Sequence, residues 1–281
     1  REQNIQVHGI NWEPKWKNID RMAAELNLGL SSVMFIDDNP VERESVKRNL
    51  PDVKILPLTD DPAQYVSILR SSPYLQPVKI TDEDLGRLKD FSVSKERNAL
   101  KTKAVSLDDY YYSLGISLNL NEIRANNSSR AAQLCQKTNQ FNTTTRRYDQ
   151  KQLYALKQAG HEVLVINYAD KFSLPENIGL LVIKYHDKTE AIIDLFLLSC
   201  RVLGRGIEAA IPNIAAKIVA AKGIGILKAE IIETERNTPA RSVYKEAGFV
   251  KFNSDSIWKL ETKKLIVPKW IEYSIKKENP T

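Results

Sequence analysis

Apolar and polar positions in the first part of the chain alternate between helical spacing and short apolar runs. Apolar residues three and four positions apart predict a helix over residues 17–28, and apolar runs predict strands over 32–36 and 53–56. Asn39-Pro40 predicts the start of a further helix, because proline lacks the N–H that a first helical turn leaves unbonded. Helices and strands in this alternation indicate a parallel α/β sheet.

From about residue 116 the pattern changes to several strands in direct succession, followed by a glycine-containing turn and a long apolar helix. This order indicates a second, separate α/β domain. The predicted strands and helices of this domain cover residues 116–124, 128–138, 161–168, 178–185, 190–199, 207–222, 226–233 and 238–246.

The stretch between the two parts is charged and helical, and we expect it to be a connector. Thr81 and Asp84 predict the start of one of its helices. The predicted organisation is therefore an α/β sheet domain, a helical connector, a second α/β domain and a basic tail, over residues 1–75, 76–115, 116–262 and 263–281.

Composition narrows the class of protein. A hydrophobic content of 42% and a charged content of 27% in 281 residues are typical of globular domains. With only two cysteines, we expect a reducing compartment and no disulfide framework. No uninterrupted apolar run is long enough to cross a bilayer. We expect a cytoplasmic protein without a membrane partner.

The net charge of +6 is modest, and part of it lies in residues 263–281. This basic segment either is a solvated tail or binds an acidic partner. Nucleic acid is not an expected partner, because the chain has no array of Lys and Arg with interleaved aromatic residues.

Asp37 and Asp38 form the first candidate site, because they end the predicted strand 32–36. Adjacent carboxylates at the carboxyl end of a strand suit Mg²⁺, and Lys15 upstream suits a phosphate. A matching Asp-x-Asp does not precede them. The one at Asp82 and Asp84 lies downstream at a predicted helix start, so we expect a chain truncated at its N-terminus. The alternative for Asp37 and Asp38 is that they cap the following helix, and the alternative for Lys15 is a solvated side chain before a helix.

The second candidate site is a glycine-rich loop between a strand and the long helix. Glycines let backbone N–H groups approach a ligand closely, and the following helix N-terminus favours an anion. The loop resembles that of the GNAT acyltransferase family, which holds the pyrophosphate of coenzyme A, and Gly248-Phe249 resembles the family's next motif. The resemblance implies that coenzyme A or another pantetheine contacts Arg201, Gly204, Arg205, Gly206 and Asn237.

The same resemblance implies that Tyr244 protonates the departing thiolate, although a core aromatic would fit that helix position equally well. Cys200, directly before the loop, is a candidate nucleophile for an acyl thioester; the alternative is a small buried side chain. A polar stretch resembling a pocket wall supplies the predicted substrate-binding residues Thr138, Asn139, Gln140 and Asn142.

Taken together, the two candidate sites resemble the FkbH-like proteins, in which a phosphatase-type domain of the haloacid dehalogenase (HAD) superfamily precedes a GNAT-like domain. The resemblance implies the closing part of a HAD-like parallel sheet joined to a GNAT-like domain. The segments that carry this resemblance are residues 11–15, 35–43, 137–142, 199–202 and 248–249.

What the FkbH-like resemblance implies is a glyceryl transferase/phosphatase of polyketide-type biosynthesis. Such an enzyme takes glyceryl from 1,3-bisphosphoglycerate and loads it onto the phosphopantetheine thiol of an acyl carrier protein. Lys15 would screen phosphate, and Asp37 and Asp38 would bind Mg²⁺; without an upstream Asp-x-Asp, phosphatase activity is not expected of this chain alone. The alternatives are a coenzyme A-dependent GNAT acyltransferase and a non-catalytic module that docks a carrier protein.

Overall fold

The chain divides into two compact units, Arg1–Ala99 and Leu100–Thr281. The structure is a computed structural model, and it describes residues 5, 7–26, 28–75, 96–97, 99–186, 189–252, 254–264 and 266–276. The predicted helix start at Thr81 and Asp84, and the Asp-x-Asp that begins at Asp82, lie outside these residues. Leu107–Leu114, predicted within the connector, belongs to the second unit.

The first unit contains a pair of parallel strands packed against helices. Its helices and strands are α1 (Lys15–Glu25), β1 (Met34–Asp37), α2 (Pro40–Asn49), β2 (Lys54–Pro57) and α3 (Tyr65–Ser71). The predicted start of α2 is confirmed: the Asn39 side chain accepts a hydrogen bond from the Val41 N–H at 2.9 Å. The strands run parallel, with Met34 opposite Lys54. The described residues thus show two parallel strands, and they do not show the larger HAD-like sheet.

The second unit is built on one large sheet with helices on both sides. Its helices are α4 (Leu107–Leu114), α5 (Ala125–Lys137), α6 (Gln150–Gln158), α7 (Ile207–Ala220) and α8 (Val243–Glu246). Its strands are β3 (Ile116–Glu122), β4 (Glu162–Asp170), β5 (Ser173–Tyr185), β6 (Glu190–Leu198), β7 (Ile226–Glu230), β8 (Val250–Phe252), β9 (Ser254–Glu261) and β10 (Ile271–Lys276).

The strands follow the order β10-β3-β4-β5-β6-β7-β9-β8 across this sheet. Two neighbouring pairs, β10 with β3 and β6 with β7, are parallel, whereas the other pairs are antiparallel. The sequence order of strand, helices, antiparallel strands, glycine turn and long helix is therefore confirmed.

Alternate residues along the central strands fill two separate cores, as the period of a strand requires. Leu164 and Ile166 of β4 belong to the larger core, which includes residues of α7 and α8. Val163 and Val165 belong to the smaller core on the other face, which includes residues of α5 and α6. The sheet is thus covered on both faces and positions the loops at its strand ends.

Residues 271–276 lie within the segment predicted to be a basic tail, but they form β10 instead. Ile271 is buried, and Tyr273 and Ile275 pack against the larger core. The lysines of this segment indicate a solvated tail, whereas its apolar residues at every second position follow the pattern of a strand.

Candidate functional site

The parallel strands β6 and β7 pair only over part of their length. Their register extends from Glu190 opposite Ile226 to Ile193 opposite Ala229, whereas β6 continues to Leu198. At the point of separation the pairing of β6 with β5 skips Asp194, which marks a β-bulge. The two strands therefore part next to an irregular residue, and a gap opens between them.

Residues 141–144 fill this gap. The N–H of Thr143 donates to the carbonyl of Phe196 at 3.0 Å, and the carbonyl of Thr143 accepts from the N–H of Ile232, beyond β7, at 2.8 Å. All four residues are buried, and Thr144 Oγ1 donates to the carbonyl of Asp194 at the bulge. Backbone groups that a strand gap would offer to an extended ligand are thus bonded to the chain itself.

Asn237 holds this segment in place. Its Nδ2 donates to the carbonyls of Asn142 and Ile232, each at 2.9 Å, and its Oδ1 accepts from the N–H of Thr234. The side chain is fully buried. Asn237, a predicted cofactor contact, is therefore placed by the structure as a residue that positions the gap-filling segment.

Tyr244 lies in the core beside this segment. It is fully buried, and its hydroxyl makes no hydrogen bond of ordinary geometry with the residues that the structure describes. Burial raises the pKa of Tyr244 well above its usual range, and the nearby Thr143 side chain only partly opposes that rise. Tyr244 thus occupies the core position that was the alternative to a catalytic role, and it brings an unbonded hydroxyl into that core.

The predicted glycine loop is present directly before α7, and its glycines differ in their surroundings. Gly204 and Gly206 both have a φ of 77°, a conformation that favours glycine. A Cβ on Gly204 would meet nothing within 4 Å, whereas one on Gly206 would lie 2.7 Å from the Trp270 ring and 2.8 Å from Tyr111. The absence of a side chain at Gly206 therefore lets Trp270 and Tyr111 pack against it, whereas at Gly204 the position of a side chain would be open.

A carboxylate from α7 already contacts this loop. The side chain of Glu208 accepts a hydrogen bond from the N–H of Gly204. Burial raises the pKa of Glu208, while bonds from its own N–H and that of Gly204, and the charge of Arg205, oppose the rise. The Glu208 carboxylate thus occupies a backbone donor of the loop for which the GNAT resemblance implies pyrophosphate binding.

The two loop arginines contact other residues of the same unit. Arg205 lies over the Tyr168 ring at 5.1 Å, with its Nη1 3.7 Å from Asp170 Oδ2, and its side chain is 11% exposed. Arg201 forms an ion pair with Glu176. These contacts fix the loop, and a ligand phosphate would have to compete with them.

Cys200 lies in a single 3-10 turn, Cys200–Val202, at the end of β6. It is half-buried, whereas Cys135 is buried, and neither of these two described residues forms a disulfide. Cys200 is therefore the thiol that a ligand at the loop could approach.

The residues predicted as a pocket wall separate into two groups. Thr138 and Asn139 accept hydrogen bonds from Arg147, at 2.8 and 2.6 Å, and so close the end of α5. Gln140 is half-buried. Asn142 is fully buried, and its Oδ1 accepts from the N–H of Thr145 at 2.8 Å. Only Asn142 lies in the strand gap.

A charged cluster beside the bulge was not predicted. Asp194 Oδ1 lies 2.9 Å from Lys184 Nζ, and its Oδ2 accepts from the Tyr148 hydroxyl at 2.5 Å. Arg146 contacts Asp194 and forms a 2.7 Å ion pair with Glu230 of β7. Burial raises the pKa of Tyr148, and the bond to Asp194 adds to that rise. No sequence spacing joins these residues, because the bulge and two separate strands bring them together.

In the first unit, the predicted residues Lys15 and Asp37 come together. Lys15 Nζ lies 3.3 Å from Asp37 Oδ2, and Asp37 Oδ1 accepts from the N–H of Asn39 at 2.8 Å. The side chain of Arg43 donates to the carbonyls of Asp37 and Asp38, each at 2.8 Å, and Asp38 is exposed.

The two carboxylates of the predicted Mg²⁺ site differ in their surroundings. Both oxygens of Asp37 accept a hydrogen bond, whereas Asp38 is exposed. In the part of the chain that the structure describes, no group of three His, Cys, Asp or Glu residues is placed to hold a metal ion. Mg²⁺ can bind through one or two carboxylates together with water and phosphate, so its binding by Asp37 and Asp38 stays a prediction.

Within the described ranges, no helix combines the length and the apolar character needed to cross a bilayer. No family model and no curated protein matches the sequence.

Solved structures that resemble part of the chain include acetyltransferases. A putative GNAT-family acetyltransferase from Desulfovibrio desulfuricans is 13% identical over 52% of this chain and 99% of that one, with a TM-score of 0.41. A putative acetyltransferase from Salmonella typhimurium, solved with its cofactor acetyl-CoA, is 13% identical over 54% and 98%, with a TM-score of 0.38. RimJ from Mycobacterium smegmatis, in complex with CoA-disulfide, is 17% identical over 52% and 82%, with a TM-score of 0.39. Likenesses this distant do not establish a reaction.

Proposed function

We propose that the second unit is a GNAT-like acyltransferase domain that accepts an acyl group from a pantetheine thioester, with coenzyme A as the first donor to test. The observation that carries the proposal is the parting of the parallel strands β6 and β7 directly before a glycine loop and α7. The glycine loop and the helix N-terminus suit the phosphate of an extended ligand, and residues 141–144, which fill the strand gap, would have to shift for that ligand to enter it.

In this proposal the phosphate binds at the loop and the thioester reaches Cys200. The Cys200 thiolate would attack the acyl carbonyl, so that a new carbon–sulfur bond forms and the bond to pantetheine sulfur breaks. The released thiolate then takes up a proton. Tyr244 would supply that proton only after residues 141–144 shift, because the hydroxyl is buried behind them.

The test is intact-mass analysis of the full chain after incubation with acetyl-CoA, followed by peptide mapping. We expect an acetyl-sized gain on the peptide that contains Cys200, and no gain in Cys200→Ala. Cys135, which is buried, is the internal control for nonspecific acylation. If Cys200→Ala still transfers acetyl to an amine or thiol acceptor, the protein is an acyltransferase but Cys200 does not carry a covalent intermediate. Absence of any transfer in either protein would refute the proposal.

Glyceryl loading is the second candidate. The 3.3 Å pair of Lys15, at the start of α1, and Asp37, the last residue of β1, favours it, because a lysine beside a strand end can neutralise a phosphate. In this candidate the acceptor is the phosphopantetheine thiol of a carrier protein, and the donor is 1,3-bisphosphoglycerate. We derive no metal-dependent step from the residues present.

A carrier protein mixed with the chain and 1,3-bisphosphoglycerate should gain a glyceryl-sized mass, and Lys15→Met should reduce that gain. Binding of the carrier without any mass gain would instead favour a docking module.

A further inference from the structure

Gly204 is exposed, and a Cβ on it would meet nothing within 4 Å, yet its N–H donates to a side chain of the protein itself, Glu208. We propose that Glu208 is a specificity-determining residue that disfavours the diphosphate of free coenzyme A relative to the single phosphodiester of carrier-bound phosphopantetheine. The inference rests on the proposed function, because it concerns the donor that the same loop would accept.

Glu208 lies in the first turn of α7. It is the second residue of α7, a 14-residue helix, so its carboxylate lies where the helix dipole stabilises one negative charge. The hydrogen bond to Gly204 places the carboxylate at the loop itself. A ligand phosphate at this loop would therefore meet a like charge, or would have to displace it.

The surroundings of the loop limit other routes for an anion. The rings of Tyr111 and Trp270, 4.5 Å apart, cover the side of Gly206 on which a Cβ would lie. Gly204 remains the exposed glycine, and it is the one that donates to Glu208. An anion that reaches the N–H of Gly204 would therefore meet the Glu208 carboxylate.

The neighbouring charges act on Glu208 in opposite directions. Burial raises the pKa of Glu208 most, the charge of Arg205 lowers it, and the charge of Glu246 in α8 raises it by a smaller effect. The Arg205 guanidinium also lies beside Asp170 and over the Tyr168 ring, so its charge is shared with those groups. A diphosphate, with two charges next to each other, is repelled more strongly than a monoanionic phosphodiester.

The experiment compares two ligands by calorimetry on the full chain: coenzyme A, and the methyl phosphodiester of pantetheine, which carries one negative charge as the carrier-bound group does. Glu208→Gln removes the charge and keeps an acceptor for the Gly204 N–H, and Glu208→Ala vacates the position. Glu235→Gln, at an exposed glutamate, is the matched control for net charge. Thermal unfolding of each variant establishes that it is folded.

We expect coenzyme A to bind about tenfold more tightly to Glu208→Gln than to the unchanged protein, since a tenfold gain corresponds to about 1.4 kcal/mol. The phosphodiester should change by less than about threefold, because it brings the smaller charge. Glu235→Gln should bind both ligands as the unchanged protein does.

Three results would overturn the inference and leave the proposed function standing. These are equal coenzyme A affinity in all variants, weaker coenzyme A binding in Glu208→Gln, or an equal gain for both ligands. If no variant binds either ligand, the proposed function fails together with the inference that rests on it.

Discussion

The two candidate sites of this chain contrast in how their side chains are bonded. At the end of β1, Lys15 is half exposed and Asp38 is exposed, so these groups can meet a ligand as they stand. In the strand gap of the second unit, Asn142 and Asn237 are fully buried, and Asn237 bonds only the chain's own backbone. A sequence motif thus shows where polar residues lie, whereas the hydrogen bonds in the structure decide whether those residues can bind a ligand.

The sizes of the cores account for this difference. Among the described residues, the apolar cluster of the first unit has three buried members, Val46, Leu50 and Val53, so little apolar surface surrounds its polar groups. The strand gap lies between strands that two large cores cover, and there buried polar groups such as the Asn237 side chain bond to the chain itself. Asn142 and Asn237, which were predicted to contact a ligand, are buried and bond to the chain's own backbone.

Asn237→Ala should have the largest effect on stability. The change removes the partners of two carbonyls and one N–H in a buried region, and we expect a loss of about 4 kcal/mol in the free energy of unfolding. Denaturant unfolding measures this loss. Asn139→Ala, at an exposed position that contacts Arg147, is the matched control and should cost less than about 1 kcal/mol. Equal losses in the two variants would contradict the positioning role.

The glycine loop allows a sharper comparison within one motif. Gly206→Ala should lower the free energy of unfolding by about 3 kcal/mol, because positive-φ strain adds to a clash with Trp270 and Tyr111. Gly204→Ala has the same φ and no clash, and should cost about 1 kcal/mol. If the two variants unfold at the same denaturant concentration, aromatic packing does not explain Gly206.

Much of the fold could be predicted from the sequence. Helical spacing, apolar runs and turn residues placed β1, β6 and α7 close to their observed bounds, and Asn39-Pro40 placed the start of α2. The sequence also put Lys15 and Asp37 in one candidate site, and the structure brings their side chains together. These features depend on local periodicity or on the end of one strand, which a single sequence contains.

The rest depends on long-range contacts that no local pattern encodes. Residues 141–144 reach β6 through hydrogen bonds that span some fifty positions, such as the one from Thr144 to Asp194. The bulge at Asp194 adds one residue to a strand without a distinct sequence signal. For β10 the signal was present as alternation, but the charges of the segment concealed it.

Tyr168 and Tyr244 are both buried, but only the Tyr168 hydroxyl has a hydrogen bond among the described residues. Replacing either with Phe should change stability less than the glycine and asparagine substitutions do. Tyr168 donates to Asp170 Oδ2 at 2.6 Å, so Tyr168→Phe should destabilise the protein by about 2 kcal/mol. Tyr244→Phe removes a buried hydroxyl without a hydrogen bond among the described residues, and should stabilise by up to about 1 kcal/mol. Thermal unfolding of both variants tests this, and destabilisation by Tyr244→Phe would show that its hydroxyl has a partner.

Lys15→Met should have the smallest effect on folding and the clearest effect on ligand binding. The Lys15 side chain is 49% exposed, and an exposed ion pair contributes less than about 1 kcal/mol, which salt reduces further. Stability should therefore change little between low and high salt, as denaturant unfolding of both proteins would measure. Binding of inorganic phosphate, followed by calorimetry at low salt, should weaken in Lys15→Met and remain unchanged in Lys17→Met, a control two positions along α1. A large loss of stability in Lys15→Met would mean that this end of β1 is as internally bonded as the strand gap, and the contrast between the two sites would disappear.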